Sequence, residues 1–87
     1  MAVKPQQAQP VKTWDHSWDS EETQNRVKHL YFELAGRPEG QSVLNPLYEN
    51  GTNAHYRLNA RSNGVITRTA YIVASIGPGG VESIKVR

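Results

Sequence analysis

The sequence predicts an α+β fold: one α-helix packed on a small antiparallel sheet, preceded by an extended N-terminal arm. Apolar residues recur with helical spacing in the first half, and from Ala54 onward the pattern changes to the two-residue alternation of strands. Two turn signals, Asn63-Gly64 and the run Gly77–Gly80, divide the second half into three strands. The sheet therefore has three strands, or four if the segment before Ala54 adds an edge strand.

Composition limits the number of domains and the cellular setting. The chain has 87 residues, of which 37% are hydrophobic, so we expect one small domain over residues 19–87 behind an arm of residues 1–18. The chain contains no cysteine, which excludes disulfides and thiolate metal sites. No segment reaches the roughly 18 apolar residues that span a bilayer, and Met1–Pro10 lacks the apolar run of a signal peptide. We expect a cytoplasmic protein, or one held within a virion or another large assembly, with no membrane contact.

The arm is polar except for its end. Residues 1–13 consist mainly of Gln, Pro, Lys and Ala, a composition with little to bury. Both tryptophans, Trp14 and Trp18, follow in a polar setting. Large aromatic side chains outside the predicted helix and sheet either pack on their own domain or anchor the chain in a partner. Trp18 is the better candidate for packing and Trp14 for a partner, and we predict both as partner-binding residues.

The helix is predicted over residues 20–35. Asp19 or Ser20 can cap its first turn, and with Asp19 in that position Glu22 would complete a capping box. Gly36 and Pro38 follow its last turn and should end it. The residues expected to face the sheet have the spacing i, i+3, i+4, i+7 and are Val27, Leu30, Tyr31 and Leu34.

The end of the helix carries a limited resemblance to a known family. The span Tyr31–Gly40 includes the run Gly36-Arg37-Pro38-Glu39-Gly40. Here the chain resembles the helix-end segment of a bacterial family of unknown function, whose short domains share this turn. The tryptophan that follows soon afterwards in that family is absent, and the β-rich second half has no counterpart in it. The resemblance implies no activity, cofactor or partner.

The segment between the helix and Ala54 is predicted mainly as a loop. Its apolar residues allow a short edge strand, whereas Pro46 argues against a central one because proline cannot donate a ladder hydrogen bond. The apolar residues in question are Val43, Leu44, Leu47 and Tyr48.

The two turns predict a register for the sheet. A two-residue loop at Asn63-Gly64 places Tyr56 opposite Tyr71, and a four-residue turn at Gly77–Gly80 places Tyr71 opposite Val86. The two registers agree on the face that the helix should cover. Its predicted members are Tyr56, Leu58, Tyr71, Val73, Ile84 and Val86. Ile72 would then lie on the opposite face and need cover from the loop, the arm or a partner.

The opposite face is predicted to be basic. Residues 50–87 contain five Lys and Arg against one acidic residue, whereas residues 1–49 contain five against seven. The polar residues expected on this face are His55, Arg57, Asn59, Arg61, Arg68, Lys85 and Arg87. From these we predict partner-binding roles for His55, Arg57, Arg61, Arg68 and Lys85.

The sequence offers little support for chemistry. Its three histidines lie in different segments without the spacing of a metal site. The acidic residues at the helix start are explained by capping, and the glycines at 77–80 are not followed by the Lys-Ser/Thr and helix of a phosphate loop. We expect no catalytic residue, no metal, no cofactor and no small-molecule substrate, and so a protein that is not an enzyme.

A binding function remains, in two forms. The first is a small non-enzymatic protein-binding or assembly protein, a subunit or accessory factor of a larger complex such as a viral one. It would dock on a protein partner or a second copy through Trp14, Trp18 and the basic face. The alternative is a small nucleic-acid-binding regulator that uses the basic face. It ranks second because Tyr56 and Tyr71 are predicted to point inward, away from the bases they would have to stack on.

Overall fold

A single helix lies against a four-stranded antiparallel sheet in residues 17–87, the part of the chain that the computed structural model describes. The elements are α1 (Glu21–Ala35), β1 (Gln41–Asn50), β2 (Asn53–Ser62), β3 (Val65–Gly77) and β4 (Gly80–Val86). The strands follow one another in the order β1-β2-β3-β4, so each pairs with its neighbour in the chain. This confirms the predicted α+β class with the edge strand included. The predicted arm, except for its last two residues, lies outside the described residues.

The helix begins and ends close to the predicted positions. Ser20 is the N-cap, and its Oγ accepts a hydrogen bond from the backbone N–H of Thr23 at 3.2 Å. Of the two predicted cap residues the structure therefore has Ser20, and the capping box that Asp19 would have formed with Glu22 does not form. At the other end the N–H of Gly36 donates to the carbonyl of Phe32 at 2.8 Å, and the positive φ of Gly36 (84°) turns the chain away.

The strands are joined by tight turns. Asn63 and Gly64 both have positive φ, 54° and 79°, as the type I′ turn requires. The third hairpin is tighter than predicted, because Gly77 pairs with Gly80 and leaves Pro78-Gly79 as a two-residue loop.

The segment before Ala54 was predicted mainly as a loop, and this is wrong: strand β1 is ten residues long and occupies one edge of the sheet. Pro46 is accommodated there because an edge strand has ladder hydrogen bonds on one side only. The pairing shifts by one residue immediately afterwards, between Pro46 and Tyr48, so that Leu47 is an extra residue in a bulge.

The core lies between α1 and one face of the sheet, and small side chains allow the two layers to approach. The helix contributes Thr23, Val27 and Tyr31, whereas Leu34 is 65% exposed and does not belong to the buried stripe as predicted. The sheet contributes larger residues separated by alanines, which are Leu44, Ala54, Tyr56, Leu58, Ala60, Ala70, Ile72 and Ala74. This alternation of large and small residues fills the interface without pushing the helix off the sheet.

The middle of the sheet differs from the predicted register. A bulge between β2 and β3 leaves Thr67 without an opposite residue, so Tyr56 pairs with Ile72 and not with Tyr71. A second bulge, at Glu82 in β4, pairs Ile72 with Val86. Ile72 is therefore fully buried under the helix, and Tyr71 and Val73 face the opposite side.

Tyr56 connects this core to the start of the helix. Its side chain is fully buried, and its hydroxyl donates a hydrogen bond to the carbonyl of Trp18 at 2.6 Å. Burial, with smaller contributions from the charges of Asp19 and Glu49, raises the pKa of Tyr56 to about 12.

This raised pKa predicts a loss of stability in alkali. Below pH 10 both states keep the proton, but between pH 10 and pH 12 the unfolded chain releases it while the folded chain retains it. The free energy of unfolding should then fall by up to about 1.4 kcal/mol per pH unit. Urea denaturation between pH 8 and pH 11.5 measures this fall in the free energy of unfolding. Tyr56→Phe is the control, because the variant lacks the titrating hydroxyl. Equal slopes for the two proteins would contradict the prediction.

Candidate functional site

The side of the sheet away from α1, here called the outer face, combines basic and aromatic side chains. Alternation along the strands places Arg57 and Arg61 of β2 and Lys85 of β4 there, and Arg87 follows, its N–H bonded to the carbonyl of Tyr71 at 2.8 Å. Of the acidic residues in the described strands, Glu49 pairs with Ala54 on the helix side. Glu82 is the bulge residue of β4, and its carboxylate lies against Gly77 at the Pro78-Gly79 turn. Away from that turn, the charged side chains of the outer face in this part of the chain are positive.

Three aromatic side chains from three adjacent strands meet on the outer face and are here called the aromatic cluster: Tyr48, His55 and Tyr71. The rings of Tyr48 and His55 are stacked, with centroids 4.2 Å apart and planes inclined by 12°. The Tyr71 ring is tilted against His55 at 5.7 Å. The leucine bulge after Pro46 is what turns Tyr48 toward this face, opposite His55.

Hydrogen bonds hold the cluster together. The hydroxyl of Tyr71 lies 2.9 Å from Nδ1 of His55 and donates to the hydroxyl of Tyr48 at 3.5 Å. The bond to Tyr48 raises the pKa of Tyr71, and the positive charges of Arg87 and Arg57 oppose this shift. Near neutral pH the cluster therefore presents an uncharged phenol flanked by two guanidinium groups.

A polar groove of about 340 Å³ lies beside the cluster. Its lining includes Lys85, Arg87, His55 and the hydroxyls of Ser75 and Ser83. Cationic groups and hydroxyls at this density suit an anion such as a phosphate group, because each can donate a hydrogen bond to it.

Arg68 does not lie on the outer face, contrary to prediction. The Thr67 bulge places it opposite Ala60, on the helix side of the sheet. Its Nη1 donates to the hydroxyl of Tyr31 at 3.2 Å and to the carbonyl of Gly36 at 3.3 Å. It therefore stabilises the C-terminus of α1, where a cation is favoured by the helix dipole.

The other predicted partner-binding residues are divided between the two sides. His55, Arg57, Arg61 and Lys85 all lie on the outer face. Trp18 is half-buried against the core, with its ring 6.1 Å from that of Tyr56. It packs on its own domain, while Trp14 lies outside the described residues.

Sequence reasoning missed two residues of the aromatic cluster. Tyr71 was predicted inward because its strand was read without a bulge, and Tyr48 was considered only as part of an edge strand. A signal for the observed register is present in the sequence of β3, where small and large residues alternate at Ala70, Ile72 and Ala74. The buried residues of β2 also combine small and large side chains at every second position, and they are Ala54, Tyr56, Leu58 and Ala60.

Evidence for other kinds of site is absent from the described part of the chain. Within residues 17–87 no group of three or more His, Cys, Asp or Glu side chains could hold a metal ion. His29 contacts Glu33 at 3.1 Å on the exposed surface of α1, four residues along the helix. The single helix of the described range is not long and apolar enough to cross a membrane.

Comparisons with known proteins do not assign this site. The site is defined by its own geometry: three aromatic rings and four cationic side chains on one open sheet face. No protein-family model, curated protein or solved structure matches this chain.

Proposed function

We propose that the outer face binds single-stranded nucleic acid, with bases stacked on the aromatic cluster and phosphates held by the surrounding cations. The position of Tyr71 carries this proposal. It faces outward between Arg57 and Arg87 and completes a row of rings with His55 and Tyr48. Its predicted inward position was the reason for ranking this function second.

The aromatic rings and the cations of this face would bind different parts of a nucleic-acid strand, the bases and the phosphates. An aromatic ring contributes about 1–3 kcal/mol per stacked base and accepts any base. Lysine and arginine bind the phosphates and add a salt-dependent term. A sheet face open to solvent makes both available at once, because it leaves bases free to splay onto the rings.

The distribution of charge favours approach from this side. The helix carries three glutamates against Arg26 and Lys28, a net charge of −1, whereas the outer face has an excess of positive charge. A polyanion is therefore attracted more strongly to the outer face than to the helix. The small total charge of +2 does not show this separation.

The salt dependence of binding tests the proposal. Fluorescence anisotropy with labelled single-stranded DNA and RNA should show affinity falling with salt, with a log–log slope of about −0.7 for each phosphate contacted. Arg57→Gln should reduce the magnitude of that slope. Arg26→Gln, an exposed arginine on the helix, is the matched control and should leave it unchanged. Absence of binding to single strands, or equal effects of the two variants, would overturn the proposal.

A protein partner or a second copy, as expected first from the sequence, is the second candidate for this face. Val43 and Ile66 are 39% and 48% exposed on the outer face near Arg61, and apolar exposure beside a cation suits an acidic protein surface. In that case the Arg57→Gln and Val43→Ser variants would weaken self-association or binding to an acidic protein in light-scattering and binding measurements. Single-stranded oligonucleotides would not compete.

A further inference from the structure

A row of four uncharged polar side chains crosses the outer face at one end of the sheet. Asn53 of β2 pairs with Asn50 of β1 on one side and with Ser75 of β3 on the other. Ser75 pairs in turn with Ser83 of β4. Residues two apart in a strand point to the same face, and each of the four is two residues from one already placed on the outer face. Asn50, Asn53, Ser75 and Ser83 are here called the neutral row.

The neutral row has a hydrogen-bonding capacity that the described part of the chain does not use. None of its side chains makes a hydrogen bond to another described residue, and all are exposed except Ser75, which is half-buried. Elsewhere on the same face such groups satisfy one another, since Thr69 donates to Oδ1 of Asn59 at 3.0 Å. Amides and hydroxyls both donate and accept hydrogen bonds, so the neutral row suits a ligand group that does the same.

The neutral row and two of the cations share one groove. The polar groove of about 340 Å³ beside the aromatic cluster is lined by all four members of the row and by Lys85 and Arg87. Along β2 the row is two residues from His55, a separation of about 7 Å that lies within the span of one nucleotide. A strand with a base on the aromatic cluster would therefore place the attached sugar and phosphate in this groove.

Charge decides which of these two groups suits the neutral row. Lys85 and Arg87 attract the phosphate to their part of the groove. At the turn beyond Ser83 the carboxylate of Glu82 lies against Gly77, and it repels a phosphate. A ribose is uncharged, and its 2′-hydroxyl both donates and accepts a hydrogen bond. The ribose therefore matches the row, whereas deoxyribose has no group at that position.

We propose that the single strand bound by the outer face is RNA, selected over DNA by hydrogen bonds from the neutral row to the ribose 2′-hydroxyl. This inference rests on the proposed function and narrows its ligand to RNA. Ser75 and Ser83 are then specificity residues, because their hydroxyls contribute to the affinity for RNA and not to the affinity for DNA of the same sequence.

Three uridine oligonucleotides of equal length test the selectivity in anisotropy titrations with the full-length protein. One is RNA, one has 2′-deoxyribose, and one carries fluorine at the 2′ position, which cannot donate a hydrogen bond. We expect RNA to bind about 10-fold more tightly than either of the others, the size of one or two hydrogen bonds.

Removing hydroxyls from the protein tests the assignment to the neutral row. Ser75→Ala combined with Ser83→Ala should bring the affinity for RNA close to that for the deoxy strand and leave the latter unchanged. Thr69→Ala is the matched control, since it removes a hydroxyl from the same face of β3 that already has Asn59 as its partner. It should keep the preference for RNA. None of these side chains belongs to the buried core, so the fold persists, which circular dichroism verifies.

The outcomes separate this inference from the function on which it rests. Binding of the RNA and deoxy strands with equal affinity would overturn the selectivity and leave the proposed function standing. A fluorinated strand that binds as tightly as RNA, or an unchanged preference in the double serine variant, would likewise overturn this inference alone. Absence of binding to all three strands would overturn both.

Discussion

Replacing Ile72 with alanine is expected to lower the free energy of unfolding by about 2–5 kcal/mol, whereas Val73→Ala should cost less than about 1 kcal/mol. Ile72 is fully buried between the helix and the sheet, and truncating it leaves a cavity that the surrounding residues cannot close. Val73 lies on the outer face, opposite His55 and Lys85. The strand register alone therefore makes the loss of unfolding free energy larger for Ile72→Ala than for the same substitution at its β-branched neighbour Val73.

Urea denaturation followed by circular dichroism measures the two variants under identical conditions. The comparison is internally controlled, since both substitutions shorten a branched side chain in the same strand. The opposite order, with Val73→Ala the more costly, would mean that β3 adopts the register without the Thr67 bulge. That result would also place Tyr71 under the helix and remove the aromatic cluster from the outer face.

Replacing Tyr71 with alanine is expected to weaken binding of single-stranded oligonucleotides by about 5- to 150-fold, equivalent to about 1–3 kcal/mol for one stacked base. The side chain packs with His55 and Tyr48 on the outer face and contributes nothing to the buried core, so the domain should remain folded. The slope of affinity against salt should be unchanged, because phosphate contacts belong to the arginines and lysine.

Tyr71→Phe is the matched control for this prediction. It keeps the ring that a base would stack on and removes only the hydroxyl that contacts His55 and Tyr48. Anisotropy titrations should therefore show near wild-type affinity for the phenylalanine variant. Equal losses for the two variants would assign the contribution to the hydroxyl and contradict stacking, and no loss in either would exclude Tyr71 from the binding surface.

Local features of the sequence were sufficient for the helix and the turns. The capping residue, the acidic first turn and Gly36 act within a few residues of one another, so their effects do not depend on distant contacts. The same holds for Asn63-Gly64, whose positive φ angles are a local property. Sequence alone left Asp19 and Ser20 as alternative caps because both side chains can accept the same kind of hydrogen bond, and the structure has Ser20 in that position.

The strand register was predicted consistently and yet wrongly. The bulge at Thr67 and the bulge at Glu82 shift β3 by one residue relative to both neighbours, while Tyr56 of β2 and Val86 of β4 keep their predicted relation. Both predicted registers placed Tyr71 where the structure has Ile72, opposite Tyr56 on one side and opposite Val86 on the other. The two predictions agreed with each other because they shared this error. A bulge adds a single residue and leaves no distinct pattern in the alternation on either side of it.

By itself the sequence determined the α+β class, the helix, the turns and the excess of positive charge in the second half, since each depends on neighbouring residues or on composition. Only the tertiary structure decided which face each residue of β3 occupies. Ala70, Ile72 and Ala74 are buried in the core with Val27 and Tyr31 of the helix, and the bulkier Tyr71 with its polar hydroxyl is directed to the outer face. The same packing moved Arg68 to the helix terminus and assembled the aromatic cluster from three strands, because contacts between layers outweigh the local preference for a regular register.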